Sequence, residues 1–152
     1  MQIQTEKSVE DWYNRIGVRA PVNLESICAD MNVIIHRAPV PGVALCESKI
    51  IVLDSRLNSI QSREQLAHEM AHILLHCGGQ WYQNRIYIQQ QEWQARNLGL
   101  ILLAPIHLLR EEIGPGDSIY TLLPFLAEKF QISASSLKFR LNILAGALTL
   151  AM

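Results

Sequence analysis

The chain has no surplus of positive charge: 13 Lys and Arg stand against 14 Asp and Glu in 152 residues, a net charge of -1 with histidine neutral. Nonspecific nucleic-acid binding draws on a basic field, so the composition gives no sign of a DNA-binding surface. Cysteine is scarce. Cys28, Cys46 and Cys77 are odd in number and form no C-x-x-C pair, which excludes a disulfide framework as the main staple and leaves buried free thiols as the expectation. Long apolar runs are missing as well. "LGLILLAPIHLL" and "ILAGALTLAM" are each too short to span a bilayer, and Pro105 breaks the first. The N-terminal "MQIQTEKSVEDWYN" carries charges and no apolar core, so it does not read as a secretory leader, and a cytoplasmic location with no membrane contact is expected.

What is present is the material of one folded domain. Hydrophobic residues make up 49% of the chain, with no internal repeat or Gly/Ser linker, enough for a real core. "VNLESICADMNV" places Leu24, Ile27, Cys28 and Met31 at helical spacing behind Asn23 as N-cap. The Val- and Ile-rich runs of "VIIHRAPVPGVALCESKIIVLD" predict two or three strands of a small sheet. Ser62 and Gln65 match a capping box, and Leu66, Met70, Ile73, Leu74 and Cys77 keep a helical period from Arg63 until Gly78-Gly79. "RIYIQQ" reads as a short strand or extended edge, and "QEWQARNLGLILLAP" as a helix ended near Pro105. The tail is mostly helical. This is an α+β chain: an N-terminal helix and small sheet in residues 1–60, two site-bearing helices in 61–109, and a helical part in 117–152.

The chemistry concentrates in "LAHEMAHILLHCGG", which holds His68, His72 and His76 at four-residue intervals with Glu69 after the first. Residues four apart on a helix differ by about 40° in azimuth and about 6 Å in height, so His68 and His72 aim two imidazoles at one point. Glu69 lies about 100° around the axis, beside a metal without coordinating it, where a general base meets a bound water. A catalytic zinc needs a third protein ligand and leaves its fourth position to water. Glu92 is the best-placed carboxylate, twenty residues after His72 and near the start of the next helix, with Glu111 and Glu112 as competitors. His76 lies about 12 Å from His68 along the axis, too far to share one metal, and reads as a partner of the helix's carbonyl end or of a ligand. Trp81, Tyr82 and Tyr87 are candidates to line a peptide groove, or to donate to a developing oxyanion.

These stretches resemble the ImmA/IrrE family of metallopeptidases. "IIVLDSRLNSIQSREQLA" is similar to that family's strand, loop and Arg-bearing lead-in, "HEMAHILLH" to its H-E-x-x-H-x-L-L-H, and "EWQARNLGLILLAP" to its E-x-x-A-N-x-F-A-x-x-L-L-M-P segment. Arg96, Leu98, Gly99 and Ala104 depart from that pattern. The resemblance implies a compact zincin-like domain with a small sheet packed on the active-site helix and one Zn2+ held by His68, His72 and Glu92. It further implies a zinc-dependent endopeptidase, with Glu69 activating the zinc-bound water. Many relatives are anti-repressors of prophages or mobile elements, so the implied substrate is a helix-turn-helix repressor.

A second reading comes from "LAEKFQISASSLKFRL", which has the pattern of a helix-turn-helix: a turn at Gln131-Ile132, Ser133 as N-cap, and Leu126, Ala127, Phe130, Ile132, Leu137 and Leu141 as packing set. On this reading the chain is a non-catalytic regulatory module that holds a transcription regulator or DNA. Only Lys129, Lys138 and Arg140 supply positive charge there, which argues against DNA and for core packing or a protein contact. Oligomeric state is left open by the sequence.

Overall fold

The computed structural model describes residues 3–77 and 84–150, with the side chains of 147–150 left aside. Thr5 starts the first helix, α1 (Glu6–Ile16), through a capping box with Ser8, and Gly17 ends it at φ 72°. Only glycine takes that left-handed cap without strain. The sequence pattern did not single out this helix, although Val9, Trp12 and Tyr13, at helical spacing, fill the core. Helix α2 (Leu24–Asp30) starts at Asn23, whose side chain accepts from the Ser26 N–H.

Three strands follow: β1 (Ile34–Ala38), β2 (Val43–Leu45) and β3 (Ile50–Asp54), in the order β1-β3-β2. β3 is central, parallel to β1 and antiparallel to β2. Its Ile51 and Leu53 are buried, the period-two pattern of a sheet with one covered face.

The histidine helix, α3, runs Ser59–His76 and starts four residues before the expected Arg63. Asn58-x-x-Gln61 also matches a capping box, and this earlier one forms: Asn58 accepts from the Gln61 N–H at 2.9 Å and Gln61 from the Asn58 N–H at 3.1 Å. By Ser62 the backbone is already helical, its N–H bonded to the Asn58 carbonyl. Gln65, freed from capping, accepts from the Asp54 N–H at 2.7 Å and ties β3 to α3. Gly78 and Gly79 lie outside the described residues.

"RIYIQQ" is helix and not strand. It forms the first turns of α4 (Arg85–Leu103), capped by Asn84, whose side chain accepts from the Tyr87 N–H at 3.0 Å. Ile86, Tyr87 and Ile88 favour strand by composition, yet they lie exposed on the helix, so no sheet contact outweighs the cap. Glu92 is therefore mid-helix and not near a helix start. α4 ends at Ala104, before Pro105, as the sequence predicts.

Helices α5 (Ile106–Glu112), α6 (Leu123–Phe130) and α7 (Ala134–Leu150) complete the chain. α6 and α7 are joined through Gln131 at φ 53°, and Ser133 accepts from the Ser136 N–H as N-cap. Leu126, Phe130, Ile132, Leu137 and Leu141 are buried and Ala127 partly so. The pair is anchored to α3: Arg63 donates to the Phe130 carbonyl, and Glu64 accepts from the Ser133 N–H at 2.7 Å. No helix among the described residues is long and apolar enough to cross a membrane.

Candidate metal centre

α3 and α4 pack against one another at the site, and the reason is the small residues of α4. Ala95 is fully buried. A Cβ at Gly99 would stand 3.1 Å from both the Ala67 carbonyl carbon and the His68 nitrogen. Backbones meet this closely only where one side has no side chain. The result is that Glu92 reaches both histidines of α3.

His68 Nε2 lies 3.0 Å from Glu92 Oε2, His72 Nε2 lies 3.1 Å from Glu92 Oε1, and the two Nε2 atoms are 3.2 Å apart. These three residues form the one group of potential metal ligands among the described residues, with one donor atom from each lying within 4.8 Å of the others. Two ligands at about 2.0–2.1 Å from a tetrahedral zinc stand roughly 3.3 Å apart, so the donor set fits a zinc ion. The chemistry fits equally. Two imidazole nitrogens facing each other gain nothing as a neutral pair beyond one shared proton, whereas both lone pairs are satisfied by a cation. Burial, followed by the neighbouring His68, pushes the His72 pKa down, which keeps its ring neutral and ready to ligate.

Glu69 is 7% exposed and not on a solvent face. Burial first, and then the Glu92 charge, push its carboxyl up to about 7, while the Ala44 N–H of β2 donates to it and acts in the opposite sense. A carboxyl that titrates near neutrality is matched to taking and returning a proton. A cation held by the adjacent ligands would pull this value down again. β2 is the outer strand in the order β1-β3-β2, so Glu69 lies beside an edge strand of the sheet.

The other residues singled out by the sequence fall elsewhere. The His76 ring centroid is 5.4 Å from that of His72, its Nε2 is buried without a hydrogen-bond partner, and it is outside the ligand group. Tyr87 is exposed on the first turn of α4. Trp81 and Tyr82 lie outside the described residues. Glu112 pairs with Lys129 at 3.1 Å and, like Glu111, takes no part in the cluster. Cys28 is buried as expected, but Cys46 is only half-buried and Cys77 is exposed because it caps the end of α3. Sequence reasoning missed the Ala44 contact, because a backbone donor leaves no residue-type signal.

The peptidase M78 model, described as the IrrE N-terminal-like domain, matches residues 28–142, well over half of the chain. The chain belongs to the peptidase M78 family. Its membership bears out the ImmA/IrrE resemblance, and the zincin-like α+β fold agrees with it. Two curated relatives come from Bacillus subtilis (strain 168). The phage-like element PBSX protein XkdA is 24% identical over 108 residues, covering 68% of this chain and 54% of that protein. The protein YqaB is 29% identical over 153 residues, covering 95% of this chain and 88% of that protein. This M78 chain spans about half the length of XkdA. At the level of the family it is a metallopeptidase-type domain, and its His68, His72 and Glu92 form a group able to hold a metal.

Proposed function

We propose that this M78 chain is a zinc-dependent endopeptidase whose substrate is a helix-turn-helix repressor encoded with a mobile element. The observation that carries the chemical part is the convergence of His68, His72 and Glu92 beside a buried carboxyl, Glu69, on the next helix position. A structural zinc usually fills four protein positions and needs no base beside it. The mobile-element part leans on the relative named as a phage-like element protein.

Zinc held by His68, His72 and Glu92 would supply a water of lowered pKa and polarise the scissile carbonyl. Glu69 takes the proton of the attacking water on its carboxylate and returns it to the leaving amine. The Ala44 backbone of β2 favours the charged form of the Glu69 carboxyl. The edge of β2 beside it offers backbone groups along which an extended peptide can pair.

The alternative, a regulatory module that binds a regulator or DNA without cutting, loses one of its three cations. Arg140 is 3% exposed and bonded to Glu6 and the Ala104 carbonyl. Metal content of wild type, His72→Ala and Glu92→Ala tests the ligand set, with about one zinc per chain expected in wild type and loss in both variants. Co-expression of wild type or Glu69→Gln with a repressor from the same element tests the reaction. Cleaved repressor with wild type and intact repressor with a zinc-loaded Glu69→Gln is the expected result; repressor inactivated equally by both would favour the binding module.

A further inference from the structure

The turn between β2 and β3 meets the end of the histidine helix through two cysteines that the metal site does not use. Cys46 Sγ lies 3.8 Å from the His72 carbonyl oxygen, in the last turn of α3. Cys77 is the residue that caps this turn. Its thiol lies close enough to that of Cys46 for each to act on the other's ionisation, and Lys49 of the same turn acts on it electrostatically. Cys77 is exposed, Cys46 half-buried, and Cys28 buried in the core.

We propose that Cys46 and Cys77 form a reversible disulfide that clamps the β2–β3 turn onto the C-terminal end of the metal-bearing helix. The bridge would fix the strand carrying Ala44 relative to the helix carrying Glu69. The proposal is independent of whether the chain cuts peptides.

The oxidant is a small-molecule disulfide. Exposed Cys77 attacks one of its sulfurs, the small disulfide bond breaks, and a mixed disulfide forms while the first small thiol leaves with the proton given up by Cys77. Cys46 then attacks the Cys77 sulfur, the mixed bond breaks, and the second small thiol leaves with the Cys46 proton. Two protein thiols lose two electrons, and one small disulfide becomes two thiols. The surroundings of Cys77 push its thiol pKa up, so the exchange is favoured by mildly alkaline pH, where more thiolate forms.

The test is overnight incubation of the full chain, metal-loaded and chelated, with millimolar oxidised glutathione at mildly alkaline pH. The expected product is lighter by two hydrogens, retains one of its three thiols, carries a Cys46–Cys77 cross-link in a peptide map, and reverts with dithiothreitol. Closing a loop of about 30 residues should raise its Tm by about 5–10 °C. Cys46→Ser should stop at a stable glutathione adduct on Cys77, and Cys77→Ser should form no internal bridge. Three free thiols in wild type, two stable glutathione adducts, a bridge that includes Cys28, or a bridge between chains would each overturn the proposal.

Discussion

Gly99 of α4 lies against His68 of α3 so closely that a Cβ would stand 3.1 Å from the His68 nitrogen. That contact sets the separation of the two helices at the level of the metal ligands, and therefore the reach of Glu92. Adding one methyl in Gly99→Ala trades this crowding against a gain in helix propensity of about 1 kcal/mol, and a small change in stability is expected. Gly99→Leu forces the helices apart. We expect it to weaken zinc binding at least tenfold while far-UV circular dichroism stays near wild type; wild-type affinity in Gly99→Leu would mean that Glu92 does not depend on this approach.

Glu69 makes the metal-free protein sensitive to pH. Its carboxyl titrates near 7 in the folded chain and ordinarily near 4.5, so the folded state binds the proton more tightly than the unfolded state. The associated stability is fully present below about pH 4.5 and is lost as the pH rises through 7. In chelator, Glu69→Gln should therefore match wild type near pH 4.5 and exceed it at pH 8, by on the order of 2–3 kcal/mol. Denaturant unfolding at the two pH values measures the difference. An equal gap at both would show that the cause is packing and not ionisation.

Much of this site was legible because its chemistry is written in residue types at fixed spacing. H-E-x-x-H on a capped helix puts His68 and His72 together from helical geometry alone, and Glu92 is readable as the best-placed carboxylate of the next helix. Local pattern misled where two signals competed. Asn58 and Ser62 both match a cap, and only the backbone decides for Asn58; Ile86-Tyr87-Ile88 looks like strand until it is seen to have no sheet to join. What could not be read at all rests on main-chain atoms or on distant contacts: Ala44 against Glu69, Gln65 against Asp54, and Cys46 against Cys77.

The helix pair α6 and α7 has little charge to offer a phosphate backbone. Of its three cations, Arg140 is buried and Lys129 pairs with Glu112 at 3.1 Å. Lys138 alone stands outside those contacts. A fluorescently labelled duplex should show only weak binding whose salt slope corresponds to about one or two phosphate contacts, and Lys138→Glu should remove most of it. A slope of about six or more contacts would place a DNA surface elsewhere on the chain.

Arg140 has a structural task instead. Its guanidinium bonds to Glu6 at the start of α1 and donates to the Ala104 carbonyl at 3.1 Å, while Glu6 also accepts from the Ile106 N–H at 3.3 Å. One side chain thereby joins α7 to α1 and to the α4–α5 connection. Burial pushes the guanidinium pKa down to about 10, a sign that desolvation opposes the charge. Glu6→Ala leaves a buried cation without its carboxylate and should destabilise by about 3 kcal/mol. Replacing both groups, Glu6→Ala with Arg140→Met, removes the charge along with its partner and should recover more than half of that loss. If the double variant is instead as unstable as the sum of the singles, the two residues act independently and the ion pair is not what holds these helices together.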